Sequence, residues 1–143
     1  MIISASLRRQ VIERAGNCCE YCGLAQTSQE AAFHVDHVLP VIAGGSTTLE
    51  NLALACVSCS LRKGPRLLVR DPQTGGHVAL FHPRLDSWRA HFRWEGMQVV
   101  GITPTGRATV VALSMNRPLA LAIREEEAHR GRHPPLAHVS DKL

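Results

Sequence analysis

An α+β fold is predicted by three observations in the first 66 residues. Ser6 to Ala15 (SLRRQVIERA) sets Leu7, Val11, Ile12 and Ala15 on one stripe at helical spacing, with Arg8, Arg9 and Glu13 outside it. Ala32 to Leu39 (AFHVDHVL) is short, rich in β-formers and ended by Pro40, which predicts a strand. Two C-x-x-C pairs, Cys19 with Cys22 and Cys56 with Cys59, bracket that strand, with thirty-three residues between Cys22 and Cys56.

Each element follows from local signals. Gly16 and Asn17 stop the first helix. CCEYCG is a tight turn that carries the first thiol pair, and LAQTSQEA is a polar loop leading to the strand. AGGSTT is a second loop. From Leu49 to Lys63 the apolar positions Leu49, Leu52, Leu54, Val57 and Leu61 surround the second cysteine pair. They predict a short helix interrupted or ended by a knuckle, then a further helical turn, closed by Gly64 and Pro65. Beyond this unit, DPQTGGH predicts a turn, VALFH a strand, and Trp88–Trp94 and Met97–Ile102 two more strands separated by Glu95 and Gly96. Thr103 before Pro104 is a helix start, because the hydroxyl can cap free N–H groups and proline at the first position loses no bond. A last helix is predicted from Pro118 to about Arg130, with the charged run REEEAHR in its outer half.

The predicted organisation is a core over residues 1–66, an α+β extension over 67–130 packed on or following it, and a poorly ordered tail over 131–143. A chain of 143 residues has room for one compact domain, or a small stapled module with an appendage. A hydrophobic share of 45% against 20% charged residues is that of an ordinary globular chain, and no apolar run is long enough to span a bilayer. The opening MIISASLRRQVIERAG is too polar for a signal peptide, so the expected location is the cytoplasm. A net charge of +4 permits a polyanionic partner without selecting one.

In a reducing compartment two C-x-x-C pairs point to a metal rather than to disulfides. Four thiolates on two knuckles match a structural zinc site, in which closed coordination holds the fold and leaves no position for substrate. A redox dithiol is the competing reading, and Cys18 is a bystander. Between the knuckles, His34, Asp36 and His37 are polar groups in an otherwise apolar strand. In a regular strand His34 and Asp36 share one face and His37 takes the other. Trp88 and Trp94 share parity and are read as core, and Arg8, Arg9 and Arg14 as surface charges.

The succession C-x-x-C, FHVDHVLPVIAGG, ENLALACVSC and RKG resembles the HNH endonuclease family with the ββα-metal fold, in the branch that carries zinc on four cysteines; the likeness covers Leu7 to Gly64. GRATVVALSMNRPLALAIR is similar to an extension on some bacterial HNH proteins and implies no residue roles. The resemblance implies a zinc-stapled ββα-metal core with an N-terminal helix and a C-terminal strand-plus-helix extension. It implies that His37 is the general base taking a proton from water, and that Asp36 is a ligand of a catalytic Mg2+ or Mn2+. It places Asn51 where hydrogen bonds fix the His strand and the imidazole, and Arg62 and Lys63 where they meet phosphate. The competing readings are an ordinary loop or helix-cap asparagine for Asn51 and a solvated helix end for the two cations.

One position departs from the family pattern. Relatives carry a second metal ligand, His or Asn, directly after the last cysteine, and this chain has Ser60. Three readings stay open: Ser60 ligates directly or through water, His34 supplies the ligand, or cleavage is lost and a nucleic-acid-binding frame remains. The implied activity is hydrolysis of DNA phosphodiester bonds, with the weakened zinc module as the alternative. Nucleic acid is the implied partner, no membrane is involved, and homodimerisation is undecided.

Overall fold

The computed structural model describes residues 2–136 of the chain. Helix α1 (Ala5–Arg14) starts where the Ser4 side chain accepts a hydrogen bond from Leu7 N at 3.1 Å. It buries Val11 completely, and Leu7 and Ile12 pack beside it. Gly16 and Asn17, both at positive φ, turn the chain out of the helix as predicted. Two arginines read as surface charges have definite partners. Arg8 donates to the Phe33 carbonyl at 2.8 Å and Arg14 to the Leu49 carbonyl at 2.6 Å, so α1 is tied to the chain entering both strands of the first sheet.

Strand β1 (His34–His37) pairs antiparallel with β2 (Leu52–Ala55), setting His34 opposite Ala55, Asp36 opposite Ala53 and His37 opposite Leu52. The helix expected here is a strand. Leu and Ala are strong helix formers, yet all four residues of β2 are buried, and pairing with β1 satisfies their backbone groups. A single 3-10 turn, Leu49–Asn51, precedes it. Helix α2 (Val57–Lys63) follows, with Cys56 Sγ accepting from Cys59 N at its start.

The remainder forms two hairpins and three helices: β3 (Leu68–Arg70), β4 (His77–Ala79), α3 (Trp88–His91), β5 (Phe92–Glu95), β6 (Gln98–Gly101), α4 (Pro104–Ala112) and α5 (Pro118–His129). β3 pairs with β4 around the predicted turn, and β5 with β6 around Gly96. β3 had no counterpart in the sequence reading, and the strand expected over VALFH lies earlier, at His77–Ala79. The strand expected from Trp88 to Trp94 begins as a helical turn. That turn brings Trp88 onto Phe92 at 5.0 Å between ring centroids, a contact four residues apart that an extended strand cannot make. Trp88 also lies 5.3 Å from Trp94 and donates through Nε1 to the Tyr21 carbonyl, so both indoles serve the interior. Helices α4 and α5 begin as predicted, each with proline in its first turn, and Thr103 caps α4 by accepting from Gly106 N.

One apolar cluster runs through the whole assembly, from Val11 and Tyr21 through Leu54 to Phe81, Phe92 and Leu113. Polar ties reinforce it. Arg84 pairs with Glu20, whose other oxygen accepts from Leu54 N at 2.8 Å. Arg124, placed by sequence in the charged run of the last helix, is only 2% exposed and donates to the carbonyls of Cys22, Met97 and Met115. Its partner carbonyls replace the water that burial removes. The start of the predicted loose tail also packs: Arg132 pairs with Glu127, and His133 bonds the Gly96 carbonyl. The rest of that expected tail, 137–143, lies outside the described residues. No described helix is long and apolar enough to cross a membrane.

Candidate metal centre and nuclease site

The two knuckles fold into one sulfur cluster. Cys19, Cys22, Cys56 and Cys59 are fully buried, and their Sγ atoms all lie within 4.8 Å of one another. Cys22 Sγ is 3.7 Å from Cys56 Sγ. A tetrahedron of four sulfurs around zinc at about 2.3 Å has an edge of about 3.8 Å, so the cluster fits that ion. Within each pair the second cysteine's N–H points at the first sulfur at 3.4 Å, as a knuckle requires. Cys18 is buried outside the cluster, in an isolated bridge with Ala25.

Three of the thiols are shifted in different directions. Hydrogen bonds led by that from Cys19 hold Cys56 low, whereas burial pushes Cys19 up and bonding within the cluster, led again by Cys19, pushes Cys59 up. A metal entering here must therefore displace protons, and its binding free energy goes into the fold. Among the described residues no other group of three or more Cys, His, Asp or Glu is placed to hold a metal.

β1 and α2 form a second polar centre beside this staple. His34 Nδ1 lies 2.7 Å from Ser60 Oγ, which joins the strand to the helix. Strand parity puts Asp36 on the His34 face, opposite Ala53, with no hydrogen bond or ion pair among the described residues. The buried Tyr21 phenol is pushed up first by desolvation and next by the charge of Asp36, and its hydroxyl has no hydrogen-bond partner among the described residues. Lys63, one helical turn after Ser60, is 2% exposed, and its ammonium reaches the carbonyls of His37 and Gly64 at 3.4 and 3.3 Å. Burial pulls its pKa down while Asp36 raises it. Lys63 thus bridges the end of β1 to the end of α2. Arg62 is exposed, with Nε on Ser58 Oγ at 3.2 Å.

His37 points to the other face of β1, where its Nε2 lies 2.9 Å from Thr47 Oγ1. Asn51 holds the loop that presents this threonine. Its Oδ1 accepts from Leu39 N at 2.9 Å, its Nδ2 donates to the carbonyls of Leu39 and Ser46, and its own carbonyl accepts from Val38 N. The clamp requires Gly45, because a Cβ there would sit 1.7 Å from the Leu39 oxygen and 2.8 Å from Asn51 Nδ2. Asn51 therefore fastens the chain leaving β1, while the imidazole contact is made by Thr47. Sequence reasoning passed over Thr47 and paired neither histidine with its hydroxyl. The signals were present as the Ser-Thr-Thr run after the double glycine and the serine directly after Cys59.

The sulfurs and the β1–β2–α2 unit thus occupy one stretch of chain. No curated protein and no solved structure matches this chain. A family model described as HNH endonuclease matches residues 19–66, about a third of the chain. With four cysteines positioned to form a metal site and the strand pair and helix between and after them, residues 19–66 are similar to an HNH endonuclease segment, set in an α+β chain.

Proposed function

We propose that this chain is a metal-dependent endonuclease that hydrolyses DNA phosphodiester bonds. The observation that supports this reading is the placement of Asp36 and His37 at the end of β1, against α2 and the Asn51-clamped loop, within the matched segment. Cys19, Cys22, Cys56 and Cys59 would hold a zinc ion, which would fasten the two knuckles together. An Mg2+ or Mn2+ ion held by Asp36 would stabilise the charge that grows on the phosphate oxygens.

The protein's own groups supply the proton transfer. With its Nε2–H donated to Thr47 Oγ1, His37 keeps the Nδ1 lone pair for a proton from the attacking water. The water oxygen bonds to phosphorus as the bond to the leaving oxygen breaks; the leaving oxygen takes a proton from solvent, and the proton held by His37 returns to solvent. Arg62, exposed at the end of α2, meets the phosphate backbone. Lys63 serves that contact indirectly, by joining α2 to the His37 carbonyl.

Incubation of supercoiled plasmid with the zinc-loaded protein tests the reading. Nicked or linear product is expected with Mg2+ or Mn2+ and none with chelator. A second reading, a zinc module that binds nucleic acid without cutting it, is favoured by the engagement of Ser60 with His34. It predicts salt-sensitive binding and an intact plasmid under every divalent ion.

A further inference from the structure

The short contact between His34 and Ser60 engages one nitrogen of the imidazole. Ser60 Oγ lies 2.7 Å from Nδ1, and no described residue bonds Nε2. When Nδ1–H donates to the hydroxyl, Nε2 carries the free lone pair, the arrangement by which an outer group orients a metal-binding histidine. Two residues along β1 on the same face, the half-buried Asp36 carboxylate has neither a hydrogen bond nor an ion pair among the described residues. Carboxylates removed from solvent ordinarily have such partners, so this one is free for a cation. Both side chains stand opposite alanines of β2, and neither alanine has a polar group to compete for them.

We propose that His34 Nε2 and Asp36 together form a two-ligand divalent-metal site, with Ser60 as the residue that positions His34. The inference rests on the reading of Asp36 as a metal ligand and changes what accompanies it. Ser60 contributes through its hydrogen bond to the histidine, and the remaining coordination positions belong to water and phosphate oxygens. An imidazole nitrogen in the set shifts selectivity from Mg2+ toward Mn2+ and the later first-row ions, because nitrogen donors suit those metals better than magnesium.

Mn2+ titrated into the zinc-loaded full-length chain tests this by electron paramagnetic resonance, with electron spin echo modulation reporting any coordinated 14N. One bound Mn2+ per chain with 14N modulation is expected, and Mg2+ displaces it poorly. His34→Ala and His34→Gln remove the modulation and weaken binding by about a hundredfold, while Ser60→Ala keeps the modulation and weakens binding about tenfold, by the usual cost of ligand-orienting groups. His37→Ala leaves both signals in place. Modulation that persists in both His34 variants, or vanishes only in His37→Ala, overturns the proposal. Bound Mn2+ that supports plasmid cleavage but shows no 14N coupling overturns it too, while the nuclease reading stands. A wild-type chain that neither binds Mn2+ nor cuts DNA overturns both.

Discussion

Asn51 shows how much one buried side chain can carry beside the strand that bears His37. Its three side-chain hydrogen bonds close the turn between β1 and the loop bearing Thr47, and it is only 8% exposed. Asn51→Ala leaves the Leu39 N–H and two carbonyls without these partners in a partly dry site. A loss of about 2–3 kcal/mol in urea unfolding is expected, in line with the penalty for orphaned buried groups. Gly45→Ala should destabilise by a different route, since its methyl group would run into Leu39 backbone. Unchanged unfolding midpoints in both variants would mean that this loop is not held as described. The sequence exposes Asn51, Asp36, His37 and the four cysteines, because residue type and spacing are properties of the chain. It hides the contacts of His34 with Ser60 and of His37 with Thr47, which join segments that only the fold brings together.

At the level of elements, the knuckles organise the first half of the chain. β2 leads directly into Cys56, and α2 is seven residues long, too short to be stable alone. Stripping zinc with a strong chelator, or replacing Cys56 with serine, should therefore abolish the cooperative thermal transition. Far-UV circular dichroism with zinc analysis of the same sample measures this, and a transition unchanged at zero zinc would contradict it. The same region shows where sequence reading falters. LALA has helical propensity, but the antiparallel register with β1 and complete burial make it a strand. At Trp88 the error runs the other way, because aromatic spacing suggests an extended run while the Trp88–Phe92 contact is made across one helical turn. α1, α4 and α5 were legible because stripes, caps and N-terminal prolines are local signals.

On the scale of the whole molecule, the second half braces the first through buried polar links that no periodicity reveals. Arg124 reaches from α5 to the Cys22 carbonyl, and its guanidinium lies 5.2 Å from the Trp94 ring centroid. Burial lowers the Arg124 pKa, and the neighbouring Cys22 charge opposes that shift. Asp71, fully shielded from solvent, accepts two hydrogen bonds from Arg107 that join the β3–β4 hairpin to α4. Arg107 holds the Asp71 carboxyl well below the usual carboxylate range. A depressed folded pKa stabilises above the unfolded value of about 4 and loses that contribution as pH falls through the folded value. Acid unfolding of Asp71→Asn should therefore show a flatter loss of stability below about pH 4 than the wild type. Parallel acid profiles would remove Asp71 from the account.

The central claim is that His37 takes the proton from the attacking water, with the metal-binding groups on the other face of β1. Single-turnover cleavage of a defined DNA duplex by wild type and His37→Ala, at equal zinc content, saturating Mn2+ and matched circular dichroism, tests it most directly. The account predicts a rate constant lower by about 10²–10⁴ in the variant, the usual contribution of a positioned general base. Equal rate constants would contradict it.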